Sequence, residues 1–469
     1  MNARLPWCWF TTVLAIATGA IAQQSVQVGD QATSLASRGA NGAQGSDWSA
    51  RPRISGDGKT VAFVSAAANL TPGSANDGDE DVFLKNVVDE SIVRVSRTAS
   101  GGDPTGRCDQ VAISRNGQWI AFTSDAPDVA GLTIPNGRTQ VFRYHVPTQS
   151  TVLVSHSLQG PGVGGNRAST DPDVSDTGEV VYQSSATDLG WTTHAIVNVF
   201  LWNPVTGNRL LSVRGTTPAD GPSRGPRITA NGSHVVYHSL ATNLVVGDTN
   251  GAADIFLWAR SNGVTSSPTV AVVRPEACLW PTITDDSLKI AFLTAGPAFT
   301  GVLGSGQQAV LHDRAANTFA LVSAAPSGAP ANAEVWEANV SPDGSRVAFA
   351  SAAGNLGAAN PSGQRQAWLR DFAPAGAPGL RLMSWSHDGV MATAGVSGLS
   401  LSTDGLWLTM ATSSPLWFSD TNGVADVFVG FGGIRNFARQ IDPQFDDGWR
   451  PGILRQLRPS RLLDRLGFR

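Results

Sequence analysis

The fold of this chain is decided by one recurring phrase, whose clearest copy is Val340-Ser341-Pro342-Asp343-Gly344-Ser345-Arg346-Val347-Ala348-Phe349. The phrase joins an apolar residue and a Ser or Thr to a tight turn and a second apolar strand, which is a strong hairpin signal. Seven copies occur at intervals of 54 to 61 residues, and they begin at Ile54, Ile113, Val174, Ile228, Ile283, Val340 and Leu401. A regular repeat of β-hairpins indicates a propeller or a solenoid.

Each repeat extends the hairpin to four short strands. The second strand is typified by Val61-Ala62-Phe63-Val64-Ser65, the third by Asp81-Val82-Phe83-Leu84, and the fourth ends in Val-Ser or Leu-Ser. Apolar residues of the second and third strands would pack between neighbouring repeats. We therefore predict an all-β fold, a seven-bladed β-propeller with four-stranded blades.

The last repeat shows how the ring closes. It reaches a third strand at Val427-Phe428-Val429, and no clear fourth strand follows. Residues 32–38 lie before the first repeat and have the pattern of a fourth strand. We predict that this N-terminal strand completes the last blade, which leaves only short, protected edges. The predicted propeller domain spans residues 23–430.

The repeats resemble those of a known family. The phrases that begin at Ile54 and Val340 are similar to the WD40-like, or PD40, repeats of the TolB-type β-propeller family. The resemblance covers about 400 residues, and its motifs are specific for the fold rather than for an activity. It implies a secreted or periplasmic propeller that acts through contacts with other proteins.

The two ends of the chain differ from the repeats. Arg4, an apolar stretch from Trp7 and the small residues before Gln23 predict a signal peptide over residues 1–22. A membrane anchor is the weaker alternative, because the apolar stretch is short for a spanning helix and no second one follows. We therefore predict no transmembrane span and a periplasmic or secreted location. Residues 431–469 form a basic tail that either packs on the propeller or frays, or else touches an anionic membrane or a partner.

The overall charge of the chain argues against one class of partner. The net charge of −4 and the pI near 6.0 argue against a nucleic-acid binder, which would carry a basic patch.

Cys108 and Cys278 each lie five residues before the first residue of their repeats. Those repeats would face each other across the channel, beyond the reach of a disulfide. We expect two free or half-buried thiols.

Loop lengths point to one face of the propeller. Connections from the second to the third strand, and from the fourth strand to the next repeat, are long and emerge on the same face. We predict that this face binds a protein or glycan partner, since aromatic and Arg side chains lie there. The alternative is that the Trp residues cover the channel while the charges pair around the ring. The candidate binding residues are Trp48, Arg51, Arg53, Asp171, Asp173, Arg227, Trp280, Trp336 and Glu337.

A second motif recurs in the loops before the third strand. Residues 248–254 and 420–426 match almost residue for residue, and 76–81 is a more acidic version. Oxygen ligands on alternate residues around a tight Gly turn suit calcium. However, repeats two and six carry Gln140 and Gln366 at the last Asp position, which favours a structural Asx turn. The candidate calcium ligands are Asp77, Asp79, Asp81, Asp248, Asn250, Asp254, Asp420, Asn422 and Asp426.

Signals for catalysis are weak. Residues 221–225 fit a nucleophile-elbow pattern, but Pro226 and a strand follow where a helix is required. The seven His residues are scattered and form no pair with metal-ligand spacing on a helix. We predict no catalytic residue and no cofactor apart from the calcium hypothesis. A binding scaffold is the preferred interpretation. The alternatives are a hydrolase or lyase that acts on polysaccharide or peptide, and a calcium-stabilised structural protein.

Overall fold

A computed structural model describes residues 33–432, except for some short segments. The segments outside the description are 72–77, 130–131, 133, 135–136, 192–194, 271–275, 300, 302–305, 358, 373–378, 387–388 and 418–419. The predicted signal peptide, Asp77 and the tail from residue 433 onward therefore lie outside the described residues.

Seven four-stranded antiparallel sheets form the described chain, which confirms the predicted all-β, seven-bladed propeller. We number the blades from the first repeat. The innermost strands are β2 (Ser49–Ile54), β6 (Cys108–Ile113), β10 (Ser169–Val174), β16 (Ser223–Ile228), β20 (Cys278–Ile283), β24 (Val335–Val340) and β28 (Ser397–Leu401). The second strands are β3 (Thr60–Ser65), β7 (Trp119–Ser124), β11 (Val180–Ser184), β17 (His234–Ser239), β21 (Lys289–Thr294), β25 (Arg346–Ser351) and β29 (Trp407–Thr412).

The outer half of each blade follows the same order. The third strands are β4 (Asp81–Asn86), β8 (Gln140–His145), β12 (Asn198–Asn203), β18 (Asp254–Ala259), β22 (Gln308–Asp313), β26 (Gln366–Asp371) and β30 (Asp426–Phe431). The outermost strands are β5 (Ile92–Arg94), β9 (Ser150–Leu153), β13 (Gly207–Leu210), β19 (Val264–Ser266), β23 (Thr318–Leu321), β27 (Leu380–Leu382) and, for blade 7, β1 (Thr33–Leu35). Besides the blades, the description contains a small hairpin, β14 (Val213–Arg214) with β15 (Thr217–Pro218), and a 3₁₀ turn at Pro297–Phe299.

The ring closes as the sequence predicts. β1 pairs antiparallel with β30, with Thr33 opposite Gly430 and Leu35 opposite Phe428. Ser37, just after β1, donates a hydrogen bond of 2.5 Å to the buried carboxylate of Asp426. The first strand of the chain thus completes the last blade and removes the open edge of β30.

The core lies between the blades. Residues of the second and third strands are almost all buried, and they meet the neighbouring blade on each side. Aromatic residues face each other across these two strands, as in Phe63 with Phe83 and Phe122 with Phe142, whose ring centroids are 5.9 and 5.4 Å apart. Such pairs contribute about 0.5–1.5 kcal/mol beyond the burial of their area. The recurring Phe or Tyr of the repeat is therefore part of the core.

One hydrogen-bonded contact recurs in every blade and fixes the start of the third strand. The first residue of that strand accepts a hydrogen bond of 2.5–2.9 Å from a Ser or Thr hydroxyl that follows the outermost strand. The same hydroxyl accepts a bond from the next backbone N–H of the third strand. The pairs are Asp81 with Ser96, Gln140 with Ser155, Asn198 with Ser212, Asp254 with Thr269, Gln308 with Ser323, Gln366 with Ser384 and Asp426 with Ser37. We call this contact the blade clamp.

Candidate functional site

The two faces of the propeller carry different connections. In blade 2 the inner hairpin turns over residues 114–118, whereas residues 125–139 connect the second strand to the third. We call the face with the longer connections the long-loop face, and the opposite one the turn face. Each innermost strand begins at the long-loop face and ends at the turn face.

The innermost strands are bent at their middle. In each one the pairing register shifts, and in five blades a residue at the bend has a left-handed backbone, with φ of 53–70°. Blades 4 and 7 use Gly225 and Gly398 there, but blades 1, 3 and 5 use Arg51, Asp171 and Trp280. This backbone costs an L-residue about 1–2 kcal/mol. Residues held in such conformations cluster at functional sites, so these three side chains are candidates for a function.

Trp280 lies half-exposed at the long-loop end of the channel. Its side chain is 46% exposed, and its ring meets that of His238 edge to face, with centroids 5.0 Å apart. Its backbone N–H donates to Nδ1 of His238 at 3.4 Å. A Cβ at Gly225 would lie 3.1 Å from His238 and 3.3 Å from the Trp280 ring, so glycine at the bend of blade 4 leaves room for both.

Two more predicted residues are exposed on the inner strands, Trp336 in the adjacent blade 6 and Arg51 in blade 1. Trp336 is 54% exposed, and the guanidinium carbon of Arg365 lies 5.2 Å from its ring centroid. Arg51 forms an ion pair with Asp109, and both side chains are about half exposed. We call Arg51, Trp280 and Trp336 the mouth residues.

Deeper in the channel, charged side chains are paired. Arg227 donates to Asp171 at 3.1 Å and to the Pro226 carbonyl at 2.6 Å. The second carboxylate oxygen of Asp171 is buried and has no hydrogen-bond partner within the described ranges. Burial acts to lower the pKa of Arg227, but Asp171 and Asp173 outweigh it, and the net shift is upward.

His238 joins this group from the second strand of blade 4. Burial lowers the pKa of its imidazole to about 4, Asp171 acts in the opposite direction, and Arg224 and Arg227 lower it further. The ring is therefore neutral at pH 7. This agrees with its Nδ1 accepting the hydrogen bond from Trp280.

An axial cavity of about 60 Å³ lies toward the turn face. Every innermost strand contributes its next-to-last residue to the wall, namely Arg53, Ala112, Asp173, Arg227, Thr282, Asn339 and Ser400. Burial and the neighbouring Arg227 lower the pKa of Arg53, while Glu337 opposes them. Burial raises the pKa of Glu337, against the effect of Arg53.

At the turn face, hydrogen bonds connect the inner turns of the blades around the axis. Hydrogen bonds of 2.7–3.1 Å link the inner turns of successive blades into a closed ring. The linked pairs are Gly56–Arg115, Asn116–Asp176, Asp176–Ala230, Ala230–Asp285, Asp285–Pro342, Asp343–Thr403 and Thr403–Gly56. Arg115 of blade 2 also lines the cavity, and its Nε lies 3.8 Å from the Asp285 carboxylate of blade 5.

The structure thus brings most of the predicted binding residues to the axis. Arg53, Asp173 and Arg227 line the cavity, Asp171 pairs with Arg227, and Glu337 accepts a bond of 3.3 Å from the Leu399 N–H. The mouth residues lie nearer the long-loop face. Trp48 lies apart from both groups, because it packs against the core between blades 1 and 2.

Sequence reasoning missed several residues of the axis. They are Arg115, Thr282, Asn339, Ser400 and the buried His238. Thr282, Asn339 and Ser400 share a simple signal, since each immediately precedes the first residue of its repeat phrase. No comparable signal marks His238, which reaches the channel from a second strand.

Carboxylates of the acidic loops accept hydrogen bonds from other side chains of the protein. Besides its clamp bond, Asp254 accepts from Asn250 Nδ2 at 2.9 Å, and Asp426 accepts from Gln44 Nε2 at 2.8 Å. Asp81 lies 3.3 Å from Arg94. Asp79 is exposed, and Asp248 is buried. Among the residues with described positions, no group of three or more Asp, Glu, His or Cys side chains is arranged to hold a metal ion.

Asp420 differs from the other acidic residues. One oxygen accepts from Gln44 Nε2 at 2.8 Å, and the other is buried without a hydrogen-bond partner in the described part of the chain. Burial and the nearby Asp426 raise its pKa to about 6, although the bond from Gln44 acts in the other direction. Asn250 and Asn422 each accept a bond from the N–H two residues later, which forms an Asx turn.

Cys108 and Cys278 are both fully buried and form no disulfide. Cys108 donates to the Ser124 hydroxyl at 3.2 Å, and burial raises the pKa of its thiol. A raised thiol pKa makes this cysteine unreactive at neutral pH.

Comparison with known proteins shows the fold alone. No family model matches the sequence, and no curated protein does either. The propeller domain of the trilobed protease from Pyrococcus furiosus is similar with 11% identity and a TM-score of 0.50, over 86% of this chain and 98% of that one. TolB from Acinetobacter baumannii matches with 14% identity and a TM-score of 0.39, over 70% of this chain and 64% of that one. An oligogalacturonate lyase from Vibrio parahaemolyticus matches with 12% identity and a TM-score of 0.48, over 88% and 99%.

No helix in the described ranges is long and apolar enough to cross a membrane.

Proposed function

We propose that this chain is a secreted or periplasmic binding scaffold, and that its long-loop face contacts a protein or glycan partner. The observation that carries the proposal is the bend of the innermost strands. Three blades keep a side chain where two others use glycine, although the left-handed backbone disfavours it. Two of those side chains, Arg51 and Trp280, are also about half exposed.

The chemistry of the mouth residues supports contact with a partner. Trp and Arg are the residue types enriched among the energetic anchors of interfaces. Trp280 and Trp336 lie on the inner strands of adjacent blades. A Trp side chain has only two rotatable torsions, so little side-chain entropy is lost when a partner covers it. An indole face suits a sugar ring or an apolar peptide side chain.

The test is binding of the mature chain to peptide and glycan arrays. The variant is the pair Trp280→Ala with Trp336→Ala, which removes both exposed rings. The control is Val205→Ala, because Val205 is 88% exposed but lies in a turn between β12 and β13 on the turn face. We expect binding by the native chain and the control, and at least tenfold weaker binding by the double variant.

Two outcomes would contradict the proposal. One is equal binding by the double variant and the control. The other is chemical turnover of an arrayed peptide or glycan, which would favour the alternative of a hydrolase or lyase. The location is tested separately by sequencing the N-terminus of the exported chain, which should begin at Gln23.

A further inference from the structure

Three neighbouring blades place unused hydrogen-bond donors on one side of the axial cavity. They are Asn339 of blade 6, Ser400 of blade 7 and Arg53 of blade 1. All three occupy the same position, next to the last residue of an innermost strand. Their side chains therefore point to the axis at a common depth.

Arg53 is the cavity arginine without a carboxylate partner among the described residues. Arg227 bonds to Asp171 at 3.1 Å, and Arg115 lies 3.8 Å from Asp285. The guanidinium of Arg53 makes a hydrogen bond of 3.0 Å to the carbonyl of Pro52. A guanidinium has five N–H donors, so most of its donors are left for a ligand or solvent.

Glu337 does not neutralise Arg53 directly. Its charge acts on Arg53, but its carboxylate accepts the 3.3 Å bond from the Leu399 N–H. No ion pair joins Glu337 to Arg53 in the described structure.

Ser400 and Asn339 add neutral donors beside Arg53. The Ser400 oxygen accepts a bond of 3.3 Å from the Ile54 N–H, which leaves its own proton to donate. The Asn339 amide has no side-chain hydrogen bond within the described ranges. By contrast, the Thr282 hydroxyl of the neighbouring blade 5 accepts from the Val340 N–H at 3.1 Å and reaches the Ala338 carbonyl at 3.5 Å.

The wall opposite these donors offers one carboxylate. Asp173 lines the cavity, and one of its oxygens accepts a bond of 2.9 Å from the Ile228 N–H. The donors lie together on the side of blades 6, 7 and 1, and the charges of Asp173, Asp171 and Glu337 act on Arg53 without an ion pair to it among the described residues.

We propose that the axial cavity binds a carboxylate group, held by Arg53 with Ser400 and Asn339 as further donors. The planar guanidinium fork matches the two oxygens of a carboxylate. A cavity of about 60 Å³ holds a few water-sized groups, since one water needs about 10–15 Å³ on this scale. The space suits a carboxylate with a short stem and is too small for a sugar ring.

The carboxylate has two sources with the same chemistry. It is either a small free acid, or an acidic group that a larger ligand inserts along the axis. The inference does not depend on the mouth residues, because Arg53, Ser400 and Asn339 line the cavity toward the turn face.

Calorimetric titration with sodium acetate tests the proposal, with sodium chloride at the same ionic strength as the reference. Arg53→Gln removes the charged fork. The control is Arg214→Gln, which makes the same charge change in the exposed hairpin strand β14. We expect saturable acetate binding by the native chain, equal binding by Arg214→Gln, and at least tenfold weaker binding by Arg53→Gln.

A second variant protects the test against misfolding. Ser400→Ala removes one hydroxyl without changing charge, and we expect it to weaken acetate binding several-fold. The proposal would be overturned if the native chain shows no saturable binding of acetate, tested at millimolar concentrations up to a 100-fold excess over the protein. Equal affinities of Arg53→Gln and Arg214→Gln would overturn it too.

A blocked tripeptide with a central Asp distinguishes the two sources. If acetate binds and the peptide does not compete with it, the cavity takes a small free acid. If the peptide competes with acetate on the native chain and Arg53→Gln weakens direct binding of the peptide, the cavity takes the acidic side chain of a larger ligand. Either result supports the carboxylate site.

Discussion

Replacement of Arg51 by Gly and by Ala measures the strain at the bend of blade 1. Both variants remove the same side chain and the same ion pair with Asp109, so their difference isolates the backbone. Arg51 has a φ of 54°, which costs an L-residue about 1–2 kcal/mol and costs glycine nothing. Glycine loses about 0.5–1 kcal/mol more chain entropy than alanine on folding. We therefore expect Arg51→Gly to be more stable than Arg51→Ala by about 1 kcal/mol.

The matched control lies two residues further along the same strand. Arg53 has no left-handed backbone, so only the entropy of glycine remains, and Arg53→Gly should be less stable than Arg53→Ala by about 0.5–1 kcal/mol. Urea unfolding of the four variants, compared at equal m values, gives both differences. If Arg51→Gly is no more stable than Arg51→Ala, the bend is not strained, and the argument for a function of Arg51, Asp171 and Trp280 fails.

Three further predictions concern the blade clamp and the acidic loops. Ser37→Ala should lower the free energy of unfolding by about 2 kcal/mol and Ser155→Ala by about 1 kcal/mol, because Ser37 donates to a carboxylate and Ser155 to a neutral amide. Equal losses of stability by the two variants in thermal unfolding would contradict this. The pKa of Asp420 is raised to about 6, so the native chain should lose stability as the pH rises from about 4 to about 6. Asp420→Asn should then be more stable than the native chain at pH 7.5, by no more than about 2 kcal/mol after solvent screening. At pH 4 the two should be equally stable, and a difference that is independent of pH would refute this. Calcium should leave the unfolding temperature unchanged, because protein donors already bond the Asp at the start of the third strand; an increase that Asp248→Ala with Asp420→Ala removes would establish a calcium site.

The sequence was sufficient for the fold because each blade repeats its own local signals. The turn after Ile54, the paired aromatics such as Phe63 and Phe83, and the missing fourth strand after Val429 are properties of short segments. Each of them has a direct physical consequence: a hairpin, a buried face and a ring that must be closed from elsewhere. The N-terminal strand at Thr33–Leu35 could therefore be predicted.

The site could be predicted only in part, because it depends on distances across the ring. Asp171 and Arg227 were recognisable as charged residues near the channel, but their 3.1 Å contact joins different blades. Arg115 reaches the axis from an inner turn and meets Asp285 three blades away, which no local pattern indicates. The bends add a second difficulty, because the left-handed residue sets which neighbouring side chains point inward.

The acidic loops illustrate why similar sequences need not mean a shared ligand. Residues 248–254 and 420–426 form the same Asx turn. However, the second oxygen of the clamp carboxylate accepts from Asn250 within the loop in blade 4 and from Gln44 of the N-terminal segment in blade 7. In blade 7 the hydrogen-bond donor to this oxygen therefore comes from outside the loop motif, whereas in blade 4 it comes from within it.

The closure of the ring also makes the last blade depend on the two ends of the described chain. β1 is the first strand of the described chain, and its partner β30 is the last. The contact between Thr33 and Gly430 therefore closes a loop that includes every other blade, and its entropic cost is met only once the rest of the sheet packing exists. Until then β30 has a free edge, and a chain that stops short of residue 426 leaves β1 without a partner. The native last blade therefore requires both ends of the described chain, from Thr33 to Gly430, to be present at once.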